Sequence, residues 1–477
     1  MPRLRGSRTG TEPLPAEASI SWRWCEVTPL PNHLKSLFWT GWFPYCATLM
    51  FVEKTGSRAA AGASHHRMAF FRQSGWLMTA NVGGSALAWA VHLLAKKIPE
   101  QEYGVFGVLL AVTMCVPNLP LQMVFAQQTA RALASNREGE LAGMIRLAWL
   151  GTFGLWLAAA SGTVIWHGDI LARWQIANPM ALWLTLPVVL FSLWLPMFWG
   201  VMQGRQDFLW LGWSNIINAA GRLAVAALIV LLLGGRAAGM MTGVCLGLAV
   251  AVGICAWQTR GLWWLAAQPF DWRSLLAQII PLMLGFGAVQ FFLTADTMFV
   301  KAYFSGETTA FYFGAGTLSR GVLWLVLPLA VVMFPKIVHS VAKAEKSDLM
   351  GWVLLWTGIL AAGGAVGLWM FGSWIVKMVY KDSYVAVASA LLPWYAWAMV
   401  PLTLANVLIN NLLARSSFRI VPALLALATA YAFALTRFHD NLLTVVKTFG
   451  VFNVLLLGVC AWFTWGMKTK TTMEDGR

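Results

Sequence analysis

Residues 237–257 read AAGMMTGVCLGLAVAVGICAW, an apolar run without one charged side chain, bounded by Arg236 and Arg260. A helix needs about 20 apolar residues to cross the hydrocarbon of a bilayer, so this run can span one unaided. Eleven more segments of the same kind complete the chain, giving twelve expected spans: 75–95, 104–126, 141–166, 180–202, 209–233, 237–257, 275–302, 308–334, 350–379, 389–413, 418–435 and 443–465. Lipid offers no partners to backbone amides and carbonyls, so each span is expected to be helical. The shorter, alternating strands of a membrane barrel are not seen. The expected fold is an all-α polytopic membrane protein.

Composition agrees. The 477 residues are 59% hydrophobic and 11% charged, with a mean hydropathy of +0.66. A soluble chain carries about 25% charged residues, so a water-soluble enzyme is excluded. The 28 tryptophans suit the headgroup level, where indole rings concentrate. A net charge of +15 reads as Lys and Arg facing anionic lipid rather than as a nucleic-acid surface, because no basic patch with interleaved aromatics stands apart from the spans. Cys115, Cys245, Cys255 and Cys460 lie in apolar runs, where small packed residues are the default. They suggest neither a disulfide framework nor a metal site.

Residues 1–67 differ from the rest. Their aromatic run 37–52 is short for a span and is interrupted by Pro44. Two readings stand: a poorly ordered or interfacial extension, or a segment upstream of a start at Met68. Loop charges orient the bundle. Sixteen Lys and Arg fall on the side of residues 67–74 and six on the other, which places both termini in the cytoplasm. The loop 258–274, with Pro269-Phe270-Asp271-Trp272-Arg273, divides the chain into an N-terminal six-helix lobe (68–258) and a C-terminal one (275–466), joined by a cytoplasmic linker (259–274) and followed by a tail (467–477). A spacing echo supports the division: Glu100 precedes Phe106-Gly107 as Glu307 precedes Phe313-Gly314. Internal repeats flanking a central site build many transporters.

Charged groups inside spans mark a pathway or substrate site by default. Arg146, Lys301, Lys377, Arg419 and Lys447 lie near span ends, where snorkelling to the headgroups explains them. Three remain: Arg222 in span five, Asp296 in span seven and Arg320 in span eight. Asp296 is then the one acid within the expected spans, and the hairpin through Phe304 brings it close to the depth of Arg320. Either the two form a buried ion pair holding helices together, or they line a central cavity with Arg222 opposite. Two guanidinium groups against one carboxylate favour an anion, and Arg suits phosphate through its bidentate fork. Asn81, Gln122, Asn215, Asn218, Gln290, Asn406, Asn410 and Asn411 are polar candidates for the same lining; for each alone, helix-to-helix hydrogen bonding is the commoner role. Gly83-Gly84 and Gly363-Gly364 with Gly367 are expected at close helix crossings. No nucleotide, zinc-protease or serine-hydrolase motif occurs, so the chain is read as no enzyme and without a cofactor.

Four motifs give a resemblance: Ile98-Pro-Glu-Gln-Glu-Tyr-Gly104; Gly200-Val-Met-Gln-Gly-Arg-Gln-Asp-Phe208; Ala295-Asp-Thr-Met-Phe-Val300 leading to Tyr312-Phe-Gly-Ala-Gly-Thr-Leu318; and Leu327-Pro328 through Phe334-Pro335. In order and spacing they resemble bacterial polysaccharide-biosynthesis flippases of the O-antigen type, within the multidrug/oligosaccharidyl-lipid/polysaccharide (MOP) flippase superfamily. The resemblance implies a two-lobed inner-membrane transporter. Its cargo would be a polyprenyl-diphosphate-linked oligosaccharide, moved to the outer leaflet by alternating access for surface polysaccharide such as lipopolysaccharide O-antigen. A cation-lined cavity, an acid in span seven and a coupling cation fit that picture. The rival readings are a small-molecule or drug antiporter on the same fold, which predicts acids in the N-terminal spans, a polytopic saccharide polymerase or glycosyltransferase, and a scaffold subunit.

Overall fold

The computed structural model describes residues 75–342, 349–414 and 417–466, and among them the chain is helical with no strand. The extension 1–67, the start at Met68 and the tail 467–477 lie outside the described residues, as do the side chains of the Leu327–Pro335 motif. Among the described residues eleven helices are long and apolar enough to cross a membrane, where the apolar runs place them, and the expected span 308–334 falls in a further helix, Gly306–Ala342. They are Gly75–Lys97 (α1, tightening to 3₁₀ geometry over Val91–Lys97), then Glu100–Met114 and Asn118–Ala134 (α2 and α3, one interrupted span). Glu138–Ile165 (α4) and the short His167–Arg173 (α5) follow, then Pro179–Gly204 (α6), Phe208–Leu232 (α7) and Ala237–Trp263 (α8). The remainder are Trp272–Tyr303 (α9), Gly306–Ala342 (α10), Leu349–Val379 (α11), Val385–Ala414 (α12), Val421–Arg437 (α13) and Leu442–Ala461 (α14).

Helix ends follow local chemistry. Side-chain oxygens of Asn178, Asp207, Asp271 and Asn441 accept first-turn amides of α6, α7, α9 and α14, satisfying donors that have no partner within the helix. The break between α2 and α3 falls at Pro117, which has no amide hydrogen and disfavours helical geometry in the residue before it. The interruption frees the carbonyl of Met114, and Gln290 Nε2 of α9 donates to it at 3.0 Å.

The closest helix pairs lie either among α1–α8 (α7 with α8, α6 with α8, α3 with α6) or among α9–α14 (α12 with α14, α11 with α12, α10 with α12). The two sets meet mainly through α2 and α3 against α9 and α10. Glycines set the tightest crossings, at different positions from those expected. A Cβ on Gly243 or Gly247 of α8 would fall 2.5 Å from Arg222 O or 2.6 Å from Asn218 O of α7, whereas Gly83, Gly363 and Gly367 have nothing within 4 Å. Gly84 meets Asn215, and Gly364 only the side chains of Leu325 and Val322.

The spacing echo has a physical counterpart. A Cβ on Gly104 would meet Gly306 O at 2.7 Å, and one on Gly107 would lie 2.5 Å from the Phe313 ring. The two echoing segments therefore pack directly against each other, as the seam between the sets.

Candidate functional site

Asp296 and Arg320 form one unit. Asp296 is fully buried, and Arg320 Nη2 donates to its Oδ1 at 2.9 Å and Oδ2 at 3.3 Å. Arg320 also donates to Leu293 O at 2.8 Å and to Thr297 Oγ1 at 3.1 Å. The hydroxyl of Tyr312 donates to Asp296 Oδ2 at 2.8 Å, and that of Tyr395 donates to the same oxygen. Gly316 makes room for this knot, since a Cβ there would lie 2.9 Å from Arg320 Nη1. The ion pair and its hydrogen bonds tie α9, α10 and α12 together.

Arg222 is the opposite case. It sits at mid-helix in α7, half-buried, and its Nε is buried with no hydrogen-bond partner among the described residues. At the end of α1, His92 faces the seam. His92 is buried among Trp89, Tyr103, Phe106 and Phe313, and its Nδ1 is 2.9 Å from Tyr103 Oη. The chain of hydroxyls continues across the seam, with Tyr103 Oη 3.3 Å from Tyr380 Oη, which donates to Gly314 O at 3.4 Å.

The neutral candidates divide. Asn81 is exposed and accepts from Asn215 Nδ2 at 2.9 Å, joining α1 to α7. Asn218 is half-exposed on α7, one helical turn before Arg222. Gln290 is committed to the Met114 carbonyl at the α2–α3 break, on the far side of the seam from Asn81 and Asn218. Arg222, Asn218 and Asn81 with Asn215 therefore share the α1–α7 side, while Asp296, Arg320 and Gln290 belong to α9 and α10.

One end of the seam is firmly closed. Lys381 Nζ donates to Ile98 O at 2.7 Å and lies 3.4 Å from Glu100 Oε1, which also accepts from Ser383 Oγ at 2.9 Å. Three expectations change here. Glu102, in the first turn of α2, is buried and accepts the Ala237 amide of α8 at 3.1 Å, so Asp296 is not the one acid within the spans. Lys301 does not snorkel; it is fully buried. Arg146, also read as snorkelling, instead donates to the Trp263 and Leu265 carbonyls at the end of α8, where a helix terminus favours a cation.

Sequence reasoning missed His92 and the tyrosines. Of the chain's eight tyrosines, Tyr103, Tyr312, Tyr380, Tyr384, Tyr395 and Tyr431 are among the largest fully buried side chains. The signal was their position inside apolar runs, where a phenol must find a hydrogen-bond partner. Among the described residues no group of His, Cys, Asp and Glu has the arrangement of a metal site. A surface cleft of about 330 Å³, lined by Asn136, Glu138, Gly139, Leu265, Ala266 and Gln268, lies where the α3–α4 turn meets the α8–α9 connection, among none of these groups.

The fold is shared with solved membrane transporters. No family model matches the sequence, and no curated protein matches it; the likeness is carried by solved structures. An inward-facing multidrug resistance transporter of the MATE family superposes with a TM-score of 0.63 at 11% identity, over 80% of this chain and 93% of that one. The lipid II flippase MurJ in an inward closed conformation gives 0.62 at 12%, over 81% and 86%. An outward-facing MATE transporter gives 0.57 at 12%, over 83% and 94%.

Proposed function

We propose that this chain is a flippase that carries a polyprenyl-diphosphate-linked oligosaccharide across the cytoplasmic membrane by alternating access, for surface polysaccharide of the O-antigen or lipopolysaccharide type. Its lobes are residues 68–258 and 275–466, both termini face the cytoplasm, and the closed end of the seam faces outward. The observation that carries this reading is Arg222. Its guanidinium is held at mid-membrane depth with a buried nitrogen unpaired, whereas the other deep arginine is neutralised by Asp296. A half-buried guanidinium with an unpaired nitrogen at this depth is costly to hold without a partner, so we read it as placed for a ligand, and a guanidinium fork fits a diphosphate. Asn218 and Asn81 offer neighbouring polar groups for sugar hydroxyls. The prenyl tail stays in lipid, and an ion gradient or the membrane potential supplies the energy.

The test uses the full chain in proteoliposomes with a fluorescent polyprenyl-diphosphate saccharide. Arg222→Leu should fold with at least the parent's stability and lose headgroup translocation, while Arg222→Lys retains a fraction, because an ammonium lacks the fork. Parental translocation by Arg222→Leu would remove the residue, and with it this reading.

Glu102 favours a second reading. A drug antiporter predicts an acid in the N-terminal spans, and Glu102 is buried there. On that reading Glu102→Gln abolishes cation-driven efflux of a lipophilic cationic dye; on the flippase reading the parent shows no such efflux.

A further inference from the structure

The closed end of the seam holds two lysines of opposite character. Lys381 has its needs met by the other set of helices, through Ile98 O at 2.7 Å and Glu100 at 3.4 Å. Both contacts exist only while the end is shut. Lys301 lies near the end of α9, five residues before Gly306, whose carbonyl faces Gly104 across the seam. It is fully buried, and its Nζ has no hydrogen-bond partner among the described residues. Glu102 of α2 is the other charged group buried near this end of the seam. That carboxylate already accepts the first amide of α8, where a helix N-terminus favours an anion, and among the described residues it makes no ion pair with Lys301.

An ammonium in a dry site without an acceptor is strongly penalised, and an uncharged amine there still forgoes its hydrogen bonds. Lys301 is therefore worse off in the closed seam in either protonation state. Because α9 ends within a turn of Lys301, a long flexible side chain at this position reaches water once the seam parts.

We propose that Lys301 is the opening spring of this gate: closure buries its amine without a partner, opening returns it to water, and its balance against the Lys381 latch sets how readily this end opens. The inference rests on the two-state transporter reading above, and its test needs no substrate.

The experiment places nitroxide labels at Lys97→Cys and Asp382→Cys, both exposed residues flanking the closed end, in the otherwise cysteine-free full chain in nanodiscs. Distances are read by pulsed electron resonance. Relief of a buried unpaired charge is worth several kcal/mol, so Lys301→Met should lower the open fraction about tenfold or more. An unchanged or larger open fraction overturns the proposal. A second measurement stands if that variant folds poorly. Lys301→Cys should react with an impermeant maleimide in free protein and become unreactive once the end is locked by a disulfide between Gln101→Cys and Gly306→Cys. Equal reactivity in both states, or none in either, also overturns it. Because neither measurement contains lipid-linked sugar, a failed flippase assay and a failed spring are separate results.

Discussion

Gly104→Ala should prise open the closed end of the seam. The ideal Cβ at residue 104 falls 2.7 Å from Gly306 O and 3.2 Å from Ala310 N. Both are backbone atoms within α10, so no side chain can rotate away. Ordinary contact needs about 3.5 Å, so α2 and α10 must separate by about 0.8 Å. The Tyr103–Tyr380 contact, already at 3.3 Å, does not survive that movement. Overpacking of this kind costs about 1–3 kcal/mol, and the cost falls on the closed state alone. The open-to-closed ratio should therefore rise about 5- to 150-fold. Alanine also favours helix over glycine by about 1 kcal/mol in either state, so the protein should not unfold. Spin-label distances between Lys97→Cys and Asp382→Cys report the ratio. Gly367→Ala, where nothing lies within 4 Å, is the control. Equal distributions in the Gly104 variant, the control and the parent would refute the idea that this crossing is the gate.

Cysteines replacing Gln101 and Gly306 should cross-link, since a Cβ at 306 lies 3.2 Å from Gln101 Cβ, close to the roughly 3.5–4.5 Å of disulfides. Translocation should then fall in proportion to the cross-linked fraction and return with reductant; full activity in cross-linked protein would rule out alternating access through this end. Asp296→Ala or Arg320→Ala alone should destabilise the protein by about 3–5 kcal/mol, because each strands its buried partner, while the double variant costs less than the two summed. Thermal unfolding in detergent reads the cycle, and strict additivity would mean the pair is not coupled. Lys381→Ala, at a partly exposed pair, should cost at most about 1 kcal/mol and widen the open population modestly in the same distance measurement.

The fold was legible because its signal is coarse: an apolar run of span length leaves helix as the one solution in lipid. What stayed hidden lies at helix ends and across the seam. The second span was read from residue 104, but the helix begins at Glu100, because acids suit a helix N-terminus. Those four residues concealed Glu102. Lys301 looked like a headgroup anchor from its place near a span end, since nothing local shows that another helix closes over it. The Asp296–Arg320 pairing could be foreseen from the hairpin between them. Gln290 was read as a cavity candidate whose commoner role would be helix-to-helix hydrogen bonding, and its partner is the Met114 carbonyl freed at the α2–α3 break, a long-range pairing that the sequence of α9 does not encode.

The electrostatic case for an anionic cargo also changes its basis. Summed over the sequence, two deep arginines outweigh one acid, and any of the three could serve. In the fold, Asp296 cancels Arg320 at 2.9 Å, with two tyrosine hydroxyls completing the carboxylate's shell. That knot is insulated within α9, α10 and α12. Arg222 lies on the other side of the seam, and its Nε has no such partner among the described residues; His92 of α1 is hydrogen-bonded to the hydroxyls that cross the seam. His92 touches Tyr103, and Tyr103 meets Tyr380 on the opposite set of helices. On the proposed flippase reading, substitution at Arg222 should therefore impair translocation while leaving closure of the seam intact, whereas substitution at Tyr103 should disturb closure.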